Sequence, residues 1–100
     1  MTAFYKEYKK GYIYLIYDQN NNSLKIGFTK NPKSRLKYLQ YATSNKLFLI
    51  DYFKGNTKDE KILHKKFKSL RLASEWFDYH TNIIKEFKNK WENYFYYLFY

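Results

Sequence analysis

One hundred residues suffice for a single domain that buries roughly two thirds of its unfolded surface, a feasible but small core. Thirteen tyrosines, nine phenylalanines and two tryptophans enlarge that core, while 19 basic against 9 acidic residues leave a net charge of +10, which favours polyanionic partners and salt-sensitive binding. The absence of cysteine excludes a disulfide framework, a thiolate metal site and a cysteine nucleophile, and no segment approaches the ~20 apolar residues of a membrane span.

The opening residues, MTAFYKEYKK, read as a polar, basic arm leading into the first strand, with no run long enough for a signal peptide. YIYLI and LKIG are short β-forming runs separated by the turn residues DQNNNS, the pattern of a hairpin. A four-residue loop at 19–22 sets Asp18 against Ser23. Ile13, Leu15, Tyr17, Leu24, Ile26 and Phe28 then form one apolar face, and Tyr12, Tyr14, Lys25, Gly27 and Thr29 share the other. A one-residue slip would carry Lys25 into the apolar set, so the pattern selects this register.

Asn31 followed by Pro32 reads as an N-cap and a proline at the first helical position, opening a helix over 32 to about 41. Leu36 and Leu39 face the core there, Lys33 and Lys37 face outward, and Arg35 lies about one turn in. Only Arg35 and Arg71 among the 19 basic residues are arginine, which singles Arg35 out from the lysines. KLFLIDYFKG reads as a strand with Leu47, Leu49, Asp51 and Phe53 on one face and Phe48, Ile50 and Tyr52 on the other; apolar residues on both faces suggest a covered central strand. A second helix runs from 57 to about 70, with Thr57 as cap, Glu60 completing a capping box, and Leu63, Phe67 and Leu70 as the core stripe. A loop near 71–73 leads to SEWFDY, short and extended and anchored by Trp76 and Phe77. Thr81 then caps a last helix, about 81–98, in which Ile83, Ile84, Phe87, Trp91, Phe95 and Leu98 recur at helical spacing. Its uncharged end, YFYYLFY, is more apolar than a surface terminus usually is, and homodimerisation through this helix is one use for it.

Tyr-Ile-Tyr at 12–14, the hairpin, Lys-Ile-Gly at 25–27, Lys30-Asn31 and Arg35-Leu36, then Glu60 with His64 and Phe67 and finally Glu75-Trp76-Phe77, resemble the motifs of the GIY-YIG nuclease superfamily. The likeness is to its branch known from phages, large DNA viruses and a fungal meiotically up-regulated protein, and covers about 11–78. Lys25 stands where most of the superfamily has tyrosine.

The resemblance implies an α/β fold of the α+β kind: one domain over 1–100 with a small, mostly antiparallel sheet of about three strands, flanking helices and an added aromatic C-terminal helix. It also implies a metal-dependent endonuclease. Phosphodiester cleavage needs a nucleophilic water, neutralisation of charge on the phosphate and help for the leaving oxygen. By the resemblance, Tyr14 positions or deprotonates the water, Arg35 holds the scissile phosphate, and Glu60 binds one Mg²⁺ or Mn²⁺, a single carboxylate sufficing when water and phosphate complete the octahedron. Lys25 supplies a positive charge or a depressed-pKa amine, His64 a second metal or phosphate contact, and Tyr12, Gly27, Lys30 and Lys33 line the nucleic-acid path. Glu75 and Asn82 are weaker candidates. Taken singly, each has a plainer reading: Tyr14 as strand packing, Glu60 as a cap, His64 as a structural helix histidine, Glu75 as an anchor for its own loop.

DNA is the expected partner, with RNA a second polyanion of the same charge class and no membrane. The expected compartment is intracellular: cytoplasmic, or nuclear or virus-associated in a eukaryotic or viral setting. The alternative is a non-catalytic module of the same fold that binds nucleic acid or a protein partner. With no zinc finger, helix-turn-helix or second domain to read bases, sequence specificity is low or supplied by another chain.

Overall fold

The computed structural model describes residues 9–99, with side chains described to residue 90. Strand β1 (Lys10–Asp18) is an interior strand of an antiparallel sheet, and β2 (Ser23–Thr29) returns beside it through residues 19–22. Asn22 takes a positive φ of 49°, and the Asp18 carboxylate accepts the Asn20 and Asn21 backbone N–H groups at 3.0 and 3.1 Å, which closes the turn. The register is the expected one: Asp18 opposite Ser23, Tyr14 opposite Gly27, Tyr12 opposite Thr29.

Helix α1 (Pro32–Tyr41) begins as its sequence indicates, with Asn31 Oδ1 accepting the Ser34 N–H at 3.1 Å. Strand β3 (Leu47–Asn56) then pairs with the free edge of β1. After it come α2 (Thr57–Lys66), a 3-10 turn (Lys68–Leu70), β4 (Arg71–Ala73), β5 (Trp76–Asp78) and α3 (Thr81–Phe99). The sheet order is β3-β1-β2-β5-β4.

The two sheet faces hold different layers. Ile13, Leu15, Leu24 and Ile26 pack beneath Leu63 of α2, Phe67 at its C-cap, and Ile83 and Phe87 of α3. On the other face, Tyr14, Ile16 and Leu47 pack with Leu36 and Leu39 of α1. Ile13, Leu15, Leu24, Ile26, Ile83 and Phe87 are fully buried; side chains of this kind contribute about 1.5–3 kcal/mol each.

Five expectations need correction. The sheet has five strands rather than three, because β4 and β5, of three residues each, are too short to show a period in sequence. β3 is an edge strand and β1 is the covered one. The faces of β3 also differ from strict alternation: Leu15 faces Asp51 but Ile16 faces Leu49, so Ile50 is an extra residue in a bulge. Leu47, Leu49 and Tyr52 therefore lie with α1, while Phe53 joins the opposite core, and Phe48 and Ile50 are exposed.

The fourth correction is the start of α2. Asn56, not Thr57, is the cap, and its box partner is Asp59, whose carboxylate accepts the Asn56 N–H at 2.8 Å while Asn56 Oδ1 accepts the Asp59 N–H at 3.1 Å. Helix α3 is similarly shifted. Thr81 is its first residue, and the preceding His80 accepts the Asn82 N–H on Nδ1 at 3.0 Å. The dimerisation surface expected from Trp91, Phe95, Leu98 and residues 94–100 lies outside the described side chains, and the basic arm at 1–8 lies outside the described residues. Among the described residues no helix is long and apolar enough to cross a membrane.

Candidate active site

Alternation along β1 turns Tyr12 and Tyr14 toward the α1 face, and β2 sets Gly27 opposite Tyr14. The lack of a side chain at Gly27 is required there. A Cβ would fall on the Tyr14 ring and hydroxyl, so glycine lets the ring lie flat across β2. Tyr14 is consequently 1% exposed.

Three charged residues from three further elements surround that ring. Burial raises the Tyr14 hydroxyl well above its ordinary pKa; Glu75 and Glu60 add to the rise and Arg35 opposes it. Tyr14 therefore stays a neutral phenol through the physiological range. Arg35 reaches the ring from the first turn of α1, whose entry is fixed by Thr29: Thr29 Oγ1 accepts the Asn31 N–H at 3.2 Å. The Arg35 guanidinium has no hydrogen-bond or ion-pair partner among the described residues, which leaves its five donors for an anion.

Glu60 and His64 lie one turn apart on α2 and meet β2 where its pairing with β5 stops. β5 covers only Ser23, Leu24 and Lys25. Beyond that, Ile26 N–H donates to the Glu75 carbonyl at 3.0 Å, and His64 Nε2 donates to the Ile26 carbonyl at 2.7 Å. The His64 ring also meets Phe77 edge-on at 5.1 Å. These contacts hold α2 against the strand and leave His64 only Nδ1 for anything else.

The shift of Asp59 into the capping box frees the Glu60 side chain for the site. Burial raises its pKa, the Glu75 charge raises it further, His64 lowers it, a hydrogen bond shared with the Glu75 carboxyl raises it, and a hydrogen bond from the Phe28 backbone lowers it. The negative charge and the hydrogen bond of Glu75 thus both favour the protonated form of Glu60.

Glu75 also pairs with Lys25, Nζ to Oε2 at 3.2 Å, with the Lys25 side chain 11% exposed and its ammonium 5.3 Å from the centre of the Trp76 ring. Lys25 is a buried cation held by one carboxylate and one aromatic face. Removing Glu75 alone would strand it.

Tyr14, Lys25, Arg35, Glu60 and Glu75 are therefore brought together, with His64 adjacent through Glu60. Tyr12 lies farther along β1, edge-on to Tyr52 at 5.7 Å. Lys30 and Lys33 are exposed at the start of α1. Lys30 lines an open groove with Thr29, Asn31, Ser34, Arg35 and Tyr38. Asn82 is exposed on the first turn of α3 and, among the described residues, no hydrogen bond joins it to the cluster.

Sequence reasoning undervalued Glu75. The available signal was Lys25 itself: a lysine on a covered sheet face demands a counter-charge, and the β4–β5 turn supplies it. The reasoning also passed over Asp18, buried and bound by Asn21 Nδ2 at 3.2 Å and Asn45 Nδ2 at 3.0 Å, which ties the hairpin turn to the loop before β3.

The family model of the T5orf172 domain matches residues 11–92, from the second residue of β1 into α3, and so takes in every member of this cluster. The chain belongs to the T5orf172 domain family. The T5orf172 domain is found in phage and related endonuclease-like proteins and is associated with nuclease-like and DNA-binding functions. No curated protein and no solved structure matches the chain. Among the described residues of this T5orf172 domain, no three His, Asp or Glu side chains are grouped to hold a metal by themselves.

Proposed function

We propose that this T5orf172 domain is a metal-dependent endonuclease of GIY-YIG type that hydrolyses DNA phosphodiester bonds. The observation that carries the reading is the meeting around the Tyr14–Gly27 pair of an arginine with no hydrogen-bond or ion-pair partner among the described residues, two hydrogen-bonded carboxyl groups, and a buried lysine.

Each group has a role that follows from its surroundings. Arg35 offers a fork of donors to the phosphate oxygens, where negative charge grows as water attacks. Tyr14, kept protonated by burial and by its acidic neighbours, orients the attacking water as a hydrogen-bond partner rather than as a phenolate base. Lys25 adds positive charge beside the scissile group, and Glu75 holds it in place. His64 anchors α2 and so fixes the position of Glu60. The net chemistry is one new bond from water oxygen to phosphorus and one broken ester bond, with a proton lost by the water and one gained by the leaving oxygen.

The donor set suits a hard divalent cation. The Glu60 and Glu75 carboxyls would offer hard oxygen donors, the positive ion replacing the proton that Glu60 holds to raised pH, and with so few protein ligands the rest of an octahedron would be water and substrate oxygen, as Mg²⁺ and Mn²⁺ tolerate. Glu60 would hold it, with Glu75 alongside. The chemistry it would supply is Lewis-acid stabilisation at the leaving side.

Plasmid nicking at low salt with Mg²⁺, Mn²⁺ or EDTA tests the reading, using wild type, Arg35→Ala and Glu60→Ala proteins whose folding is checked by circular dichroism. The expected result is metal-dependent nicking that falls by about 100-fold or more in either variant. If the wild type binds DNA but nicks it with no metal, and the variants bind as well, catalysis is withdrawn in favour of a binding module.

A further inference from the structure

The outer surface of α1 carries what the cluster does not use. Leu36 and Leu39 face the sheet, yet Tyr38 is 69% and Tyr41 84% exposed, more than any other large apolar or aromatic side chain among the described residues. The two lie three residues apart, hence neighbours on the helix surface, and Tyr38 is three residues after Arg35. One groove beside α1 runs from Arg35 to Tyr38 past Lys30, Asn31 and Ser34. Another, on its opposite flank, joins Tyr41 to Lys33, Lys37 and Gln40.

The segment that carries α1 has charge of one sign. Between Asp18 and Asp51 the chain contains no acidic residue, and its charged side chains there are Lys25, Lys30, Lys33, Arg35, Lys37 and Lys46. Exposed aromatic rings set among lysines suit a strand whose bases are free. Every base offers a π-face for stacking while the backbone lies along the positive charge. A duplex keeps its bases stacked inside, out of reach of rings on a convex helix.

We infer that Tyr38 and Tyr41 form a stacking platform for unpaired bases, so that the chain takes single-stranded or partly unpaired DNA beside the phosphate at Arg35. The placement beside a scissile phosphate rests on the nuclease reading; the platform itself does not.

Fluorescence anisotropy in EDTA, with one labelled oligonucleotide as single-stranded DNA, as blunt duplex and as its RNA equivalent, measures this without cleavage. Wild type is expected to bind the single strand more tightly than the duplex at equal salt. Tyr38→Ala with Tyr41→Ala should weaken single-strand binding by about 5- to 100-fold while changing duplex binding less than about twofold, and Tyr38→Phe with Tyr41→Phe should keep it. Equal losses on both DNA forms, no loss, a phenylalanine variant that behaves like the alanine one, or tighter binding of RNA would each overturn the inference. Tyrosine-dependent binding in a protein that never nicks DNA would sink the nuclease reading and leave the platform standing. Nicking by a protein whose binding ignores these tyrosines would do the reverse.

Discussion

Glu75 joins two charge relationships that would otherwise be separate. It neutralises Lys25 on one side and shares a hydrogen bond with Glu60 on the other, so the ionisation of Glu60 is tied to the state of a buried lysine. Burial and the Glu75 charge hold the Glu60 proton to higher pH in the folded chain than in the unfolded one, so the fold binds more protons over that interval. Stability must then fall as pH rises: the contribution is intact below the ordinary glutamate value of about 4.3 and is lost as pH passes through the raised folded value. Glu60→Gln, always neutral and still able to hydrogen-bond, is expected to match wild type in acid and to exceed it in urea unfolding at neutral pH. Added Mn²⁺ or Mg²⁺ should then stabilise the wild type but not the variant. A wild type that gains stability relative to Glu60→Gln between acid and neutral pH would reverse the sign and remove the argument.

Among the elements, α2 decides whether Glu60 is free for chemistry. A box built on Thr57 would have consumed the Glu60 carboxylate at the helix terminus; the box built on Asn56 uses Asp59 instead. The two arrangements differ by one residue, and the usual pattern of a capping residue followed three positions later by Glu or Gln fits TKDE but not NTKD, so the sequence rule points to Thr57 where the fold uses Asn56 and the shorter Asp59. Unfolding measurements separate the two. Asn56→Ala should cost about 1 kcal/mol and Thr57→Ala only a few tenths, whereas equal costs would restore Thr57 as the cap. The bulge at Ile50 was equally hidden, since LFLIDYF alternates acceptably on either side of it and only pairing with β1 shows where a residue is left over.

For the whole molecule the dominant fact is a charge of +10 together with a segment, residues 19–50, that carries no acidic side chain. DNA affinity should fall steeply with salt as counterions are released, and Lys30→Ala or Lys33→Ala should each lower the log–log salt slope by about 1 if that lysine contacts phosphate. An unchanged slope in both variants would move the DNA path away from the start of α1. Fold stability draws on a different part of the chain. The Leu63, Phe67, Ile83 and Phe87 layer lies across the sheet from α1, so the binding face can carry strong positive charge without disturbing the main core.

The sequence by itself determined the hairpin register, the start of α1 and the shared face of Tyr14, Lys25 and Gly27, because period-two alternation and an Asn-Pro cap are local signals that no distant contact has to complete. Leu63 and Phe67 were legible as core for the same reason. Only the tertiary structure decided that β3 lies at the sheet edge with β1 inside it, that two three-residue strands extend the sheet past β2, and that Glu75 stands between Lys25 and Glu60. Those outcomes depend on residues some 50 positions apart in sequence meeting at the edge of β2, where β5 stops pairing and α2 takes over, and no local periodicity encodes such a meeting.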